Sequence, residues 1–129
     1  MSQNPLISII DDDEAVRVAT ENLVRSLGFG ASTFSSAEEF LKSSRLEETS
    51  CVITDVHMPG MTGVELQTRL LALGHDLPMI FITAFPEERT RERVHAAGAI
   101  GFLSKPFDGG AMIQCIDRAL GRDIQATRH

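Results

Sequence analysis

The chain reads as an α/β domain: a doubly wound, five-stranded parallel sheet of order 2-1-3-4-5 with five helices. Three observations point there. Short apolar, β-branched runs alternate with stretches whose apolar residues recur every three or four positions. The connections between them are only a few residues long. At 129 residues, the chain suits one domain with a single core. Such alternation produces a parallel sheet covered on both faces, with right-handed crossovers. The order 2-1-3-4-5 is the economical one at this size, although periodicity alone leaves strand order open.

After a polar start ending at Pro5, residues 6–10 (Leu-Ile-Ser-Ile-Ile) form a compact strand, followed at once by Asp11-Asp12-Asp13-Glu14. From Asp13 the period changes. Val16, Ala19, Leu23 and Leu27 mark an amphipathic helix capped by Asp13, favoured by Glu14 at its positive end and stopped by Gly28. A weaker strand spans residues 29–34. Ser36 and Glu39 then have the spacing of a capping box, predicting a helix over 37–44 with Phe40 and Leu41 inward. Residues 45–50 read as a surface connection.

Residues 51–54 (Cys-Val-Ile-Thr) form a buried strand that ends on Asp55, and Met58-Pro59-Gly60 breaks it. After the 55–63 loop, a third helix runs from 64 to 73, with Val64, Leu66, Leu70 and Leu71 able to pack and Gly74 ending it. Residues 78–82 give the fourth strand, finishing at Thr83-Ala84. Pro86 opens a strongly charged helix (Glu87, Glu88, Arg89, Arg91, Glu92, Arg93) that Gly98 closes. The fifth strand covers 99–103 and ends at Ser104-Lys105-Pro106. A last helix over 110–120 buries Met112, Ile113, Ile116 and Leu120. The domain core is thus about residues 5–120, with 121–129 a tail or the start of a linker.

Composition narrows the function. A hydrophobic content of 43% with 23% charged residues is ordinary for a globular domain. The net charge of −6 argues against this segment gripping nucleic acid or an anionic membrane, and the absence of Trp and Tyr against base-stacking platforms. No apolar run is long enough to span a bilayer, and the N-terminus lacks signal-peptide character. Cys51 and Cys115 have no metal-ligand spacing and read as reduced, buried thiols; the expected compartment is cytoplasmic.

In a parallel sheet all carboxyl ends point one way, so Asp11, Asp12, Asp55, Thr83 and Lys105 meet at one edge. Singly, each has an ordinary reading as a cap, turn, strand or loop residue. His57 reads as a loop side chain beside the site, and His75, His95 and His129 as surface residues. Together they make a chemical set. Three crowded carboxylates repel one another, and a hard dication relieves this. Magnesium suits oxygen ligands, keeps waters and commonly bridges carboxylate and phosphate. A carboxylate oxygen can then accept a phosphoryl group, with Lys105 and Thr83 binding its oxygens.

With these residues in place, the chain resembles the receiver domains of two-component response regulators. The likeness rests on Ile9-Ile10-Asp11-Asp12-Asp13-Glu14, Asp55-Val56-His57-Met58-Pro59-Gly60, Ile82-Thr83-Ala84 and Phe102-Leu103-Ser104-Lys105-Pro106-Phe107. The wording of Ser36-Ala37-Glu38-Glu39-Phe40-Leu41 and Gly63-Val64-Glu65-Leu66 is similar to the FixJ-like subgroup, whose members carry a helix-turn-helix DNA-binding domain after the receiver. The resemblance implies Asp55 as phosphoacceptor, Asp12 as the direct magnesium ligand, Asp11 acting through water, and the His57 main-chain carbonyl as third ligand, with manganese able to substitute. It also implies Thr83 and Phe102 as a switch pair, Lys105 as the phosphoryl-sensing lysine, Ala84 and Pro106 as supporting residues, and a cis Lys105–Pro106 bond.

On this reading the chain is a signalling switch and not an enzyme in the usual sense: it receives a phosphoryl group from a sensor histidine kinase. Thr83 moves toward the phosphoryl group and Phe102 turns inward. The face of the fourth helix and fifth strand then controls a homodimer and a transcriptional output, with DNA contacted only through a separate C-terminal domain where one is present. Phe85 and His57 stand at variable positions where they alter water access. Two alternatives remain from the residues alone. One is a magnesium-dependent hydrolase using a phosphoaspartate, although His57 occupies the place of a second acid. The other is a flavodoxin-like nucleotide or flavin binder, although it lacks a Gly-rich phosphate loop after the first strand.

Overall fold

Alternating apolar residues along each strand send side chains to opposite faces of one sheet. The computed structural model describes residues 4–121. Its elements are β1 (Leu6–Ile10), α1 (Glu14–Ser26), β2 (Gly30–Phe34), α2 (Ala37–Leu41), a 3-10 helix (Ser44–Glu48), β3 (Thr49–Asp55), α3 (Gly63–Ala72), β4 (Met79–Thr83), α4 (Glu88–Ala96), β5 (Gly101–Ser104) and α5 (Gly109–Ala119). The sheet order is β2-β1-β3-β4-β5 and every pairing is parallel. The expected architecture is therefore present. The 122–129 part of the expected tail, with His129, lies outside the described residues.

The period-2 pattern builds two cores. On one face Ile7, Ile9, Cys51, Ile53, Ile80 and Ile82 meet Val24 of α1 and Met112, Cys115 and Ile116 of α5. On the other, Ile10, Val52, Met79 and Phe81 meet Phe40, Leu66, Leu70 and Val94 from α2, α3 and α4. Each of these buried Ile, Val, Leu, Met and Phe side chains contributes about 1.5–3 kcal/mol of transfer free energy. Burial also sets the thiol chemistry. Cys51 is pushed up to about 12 by burial and then by neighbouring Cys115, and burial raises Cys115 despite the opposing charge of Arg118. Both thiols are free, as expected, and protonated at neutral pH.

Several helix faces differ from the apolar period. In α1, Ala19 is exposed while Thr20 is buried, because the Thr20 hydroxyl donates to the Val16 carbonyl at 2.7 Å and so enters the core satisfied. In α3, Leu71 is 44% exposed and Gln67 takes the inward place, its Nε2 donating to the Val94 carbonyl at 3.1 Å. In α5, Ile113 and Leu120 are only half-buried, and Cys115 fills the core with Met112 and Ile116. The expected 37–44 helix ends at Leu41; a Ser43-capped 3-10 turn follows and plugs Leu46 into the core. Glu87 is extended, so α4 starts two residues after Pro86. His95 lies at the surface as expected, 3.2 Å from the Ala99 carbonyl, whereas His75 is half-buried, 3.9 Å from Glu47.

The carboxyl end of β3 is joined to α3 by a loop closed at its base, where Gly63 N donates to the Val56 carbonyl at 2.9 Å. A Cβ at Gly63 would press on the Asp55 carbonyl oxygen and lie 3.2 Å from the Val56 Cα. Gly63→Ala should therefore cost about 1–3 kcal/mol, the range for overpacking against backbone that cannot yield. Urea unfolding of the variant measures it, and unchanged stability would show that the loop shifts freely.

Candidate phosphoacceptor and metal site

Because the strands are parallel and in register, the ends of β1, β3, β4 and β5 deliver their next residues to one edge. β1 ends just before Asp11 and Asp12, β3 ends on Asp55, β4 ends on Thr83, and Lys105 follows β5. The predicted residues do come together. Lys105 Nζ donates to Asp55 Oδ2 at 3.1 Å and stands 3.0 Å from Asp11 Oδ2. Carboxylate oxygens of Asp11, Asp12 and Asp55 lie within 4.8 Å of one another. The His57 amide donates to Asp55 Oδ1 at 3.3 Å, and the Asp13 amide to Asp11 Oδ1 at 2.9 Å.

Arg17 adds a contact that the sequence did not flag: its Nη1 donates to the Asp11 carbonyl at 2.6 Å and fixes that turn. Asp11 and Asp55 are buried, Asp12 is exposed at the rim, and the Lys105 side chain is 14% exposed.

The electrostatics follow from this crowding. Burial, then the charge of Asp11, hold the Asp55 carboxyl above its ordinary value; Lys105, by hydrogen bond and charge, and the His57 amide oppose the rise. Burial pulls Lys105 down, but its contacts with Asp11 and Asp55 and their charges outweigh it, so Lys105 ends above its ordinary value. The Asp11 Oδ2 contact has ion-pair distance without hydrogen-bond geometry, leaving a fully buried carboxylate oxygen with no hydrogen-bond donor. Three formal negative charges against one ammonium leave two uncompensated. A fully buried carboxylate oxygen that has the Lys105 ammonium beside it but no hydrogen bond, hard donors and an excess of two negative charges fit a divalent, oxygen-preferring cation.

Around this pocket, Thr83 is buried and its Oγ1 accepts from the Phe85 amide at 3.0 Å. Ala84 is exposed, and Phe85 is 70% exposed with its ring edge-on to His57 at 5.9 Å. The Lys105–Pro106 peptide is cis, as the resemblance implied. Phe102 departs from expectation. It is already inward, 9% exposed, with the Arg91 guanidinium 5.5 Å over its ring. An outward-to-inward swing therefore does not begin from this conformation.

Taken together, the fold and site define a doubly wound α/β domain with an acidic, lysine-bearing pocket at the carboxyl edge of its sheet. Residues 7–117 match the response regulator receiver domain, and the chain belongs to that family. It is similar to the response regulator protein TmoT of Ectopseudomonas mendocina, at 40% identity over 118 residues covering 92% of this chain and 54% of that protein. It is also similar to the transcriptional regulatory protein FixJ of Azorhizobium caulinodans, at 34% identity over 128 residues covering 99% and 61%. Among solved structures it resembles response regulator StyR, with a TM-score of 0.85 and 40% identity, covering 96% of this chain and 63% of that one. The chain thus spans little more than half the length of the curated relatives it matches. Membership in this family of signalling domains displaces the flavodoxin-like and hydrolase readings. Among the described residues, no helix is long and apolar enough to cross a membrane.

Proposed function

We propose that the chain is a single receiver domain, with its core at about residues 5–120, in which Asp55 takes a phosphoryl group from a sensor histidine kinase. One observation carries the reading: Lys105 Nζ is 3.1 Å from Asp55 Oδ2 while the oxygens of Asp11, Asp12 and Asp55 share a 4.8 Å cluster. Asp11, Asp12, Asp55 and the His57 carbonyl would hold magnesium, or manganese in its place. When bound, the ion offsets negative charge on the carboxylates and the incoming phosphoryl group.

A carboxylate oxygen of Asp55 attacks phosphorus, and the P–N bond to the donor histidine breaks with its electron pair left on the imidazole nitrogen. The product is an acyl phosphate. Lys105 gives up Asp55 Oδ2 and pairs with a phosphoryl oxygen as a point charge. Beside it, a groove lined by Ala15, Val16, Ala19, Pro106 and Phe107 offers the kinase an apolar contact surface next to the site.

The switch follows from the exchange of partners at Thr83. Phosphorylation adds roughly −1.5 to −2 charge and three acceptor oxygens. Thr83 turns its hydroxyl to one of them and releases the Phe85 amide, loosening the connection into α4. That helix fully buries only Val94 and lays Arg91 over Phe102, so its charged outer face can be re-set while the core side chains stay in place. Its face with β5 forms the phosphorylation-dependent homodimer. By likeness to the relatives that are transcriptional regulators, the dimer would control an output domain where one is joined to the receiver, with DNA reached only through that separate domain. Thr83→Ala should still take up phosphoryl but lose most of the phosphorylation-driven gain in dimerisation. Sedimentation before and after treatment with a small phosphodonor measures this, and unchanged coupling would remove Thr83 from the switch.

A further inference from the structure

We infer that Glu38 is a positioning residue for the metal-binding loop: reaching across from α2, its carboxylate fixes the 59–62 limb and through it the His57 carbonyl. This inference rests on the phosphoacceptor reading of the site.

The loop between β3 and α3 has two differently held limbs. On the near limb Val56 and Met58 are buried in the core on either side of exposed His57. On the far limb Pro59 and Gly60 are exposed, and only the partly buried Met61 side chain reaches the core. There Glu38 Oε2 accepts from the Met61 amide at 2.9 Å, a bond spanning 23 positions in sequence. The carboxylate lies against Gly60, where a Cβ would come within 2.6 Å of Oε2, and Gly60 also has φ +77. The bare Cα of Gly60 and the reach of Glu38 therefore depend on each other.

The neighbouring acid does something else. Glu39 Oε1 accepts from the Ser35 amide at 2.8 Å and the Ser35 hydroxyl at 3.1 Å, while its own amide donates to Ser36 Oγ at 3.0 Å. Glu39 holds the helix start, one residue earlier than the reciprocal capping box predicted. Glu38 holds the loop. An ionised acceptor on a backbone amide makes a charge-assisted bond, stronger than a neutral one. Without it the far limb relaxes, the His57 carbonyl is no longer held in one orientation, and ion binding must first order the loop.

The test uses the full chain, with magnesium chloride titrated alone by calorimetry and amide exchange followed in metal-free protein. In Glu38→Ala, the Met61 and His57 amides should exchange faster and magnesium should bind about tenfold more weakly, at the low end of what supporting partners of metal ligands typically contribute. Glu38→Gln keeps an oxygen at the same reach and should stay within about twofold of wild type. Glu39→Ala should lower the melting temperature and leave magnesium affinity unchanged. Wild-type affinity in Glu38→Ala overturns the inference, as does equal weakening in all three variants, which would assign the effect to α2 stability. If Glu38→Ala fails to fold, Glu38→Asp, one methylene too short, takes its place with the same two outcomes. A wild type that binds no magnesium sinks the phosphoacceptor reading and this inference with it; a wild type that binds, with Glu38→Ala its equal, sinks this inference alone.

Discussion

Replacing Lys105 with alanine is expected to destabilise the metal-free protein by about 2–3 kcal/mol at neutral pH, somewhat less than the ~3–5 of breaking a fully buried pair, because the Asp12 rim is open to water. Among the described residues, the lysine is the one cation in contact with both buried carboxylates, Asp11 and Asp55. Without it they stay buried with their mutual repulsion unopposed, and the Asp55 carboxyl, already raised, is raised further. A carboxyl raised in the folded state destabilises it above the folded pKa, and that penalty fades as pH falls toward the unfolded value. The difference between wild type and variant should therefore shrink in acid. It should shrink again in strong alkali: Lys105 is raised above 10.5, so its contribution is fully present below that value and lost as pH rises through the folded one. Saturating magnesium should narrow the gap at neutral pH by binding the folded state. Urea unfolding across pH checks all three. A pH-independent difference would mean that the ion pair is not what Lys105 contributes.

Asp55→Asn should abolish phosphoryl uptake altogether, since an amide oxygen cannot give the acyl phosphate under these conditions. Its stability effect runs opposite to that of the lysine change. Asp55 sits above its ordinary value of 3.8, so the pocket as a whole disfavours its carboxylate, burial first and Asp11 second. The neutral amide should raise the melting temperature of the metal-free protein at neutral pH. That gain should vanish as pH falls through the raised folded pKa toward 3.8, where the wild-type carboxyl is also neutral. Magnesium should stabilise the wild type more than the variant and can reverse their order. A variant no more stable than wild type without metal at any pH would mean that Lys105 fully compensates the site. A variant that still gained a phosphoryl group would move the acceptor elsewhere.

Much of this site was legible because it is strung on the ends of strands. The runs ending before Asp11, at Asp55 and at Thr83 are apolar and β-branched, and a parallel sheet leaves their ends no choice of edge. What periodicity missed has a common cause. Thr20 and Gln67 occupy inward places because each finds a carbonyl partner, Val16 and Val94, which a hydrophobic pattern cannot register. Ala19 and Leu71, apolar on paper, are displaced to the surface. The turn that buries Leu46 carries a single apolar residue among polar ones, too little for any period. Glu38 was hidden differently. Read with Glu39 as part of one helix start, it gave no sign of a partner 23 positions on. The inward Phe102 likewise meets a residue of a different element, Arg91.

The most direct measurement is site mapping of the phosphoryl adduct. Wild-type protein is incubated with a small phosphodonor, with magnesium or with chelator, trapped by borohydride reduction, digested and sequenced by mass spectrometry. Modification at Asp55 alone, dependent on magnesium, is the predicted result. Modification at Asp11, Asp12 or any histidine, or at Asp55 equally well in chelator, would contradict it.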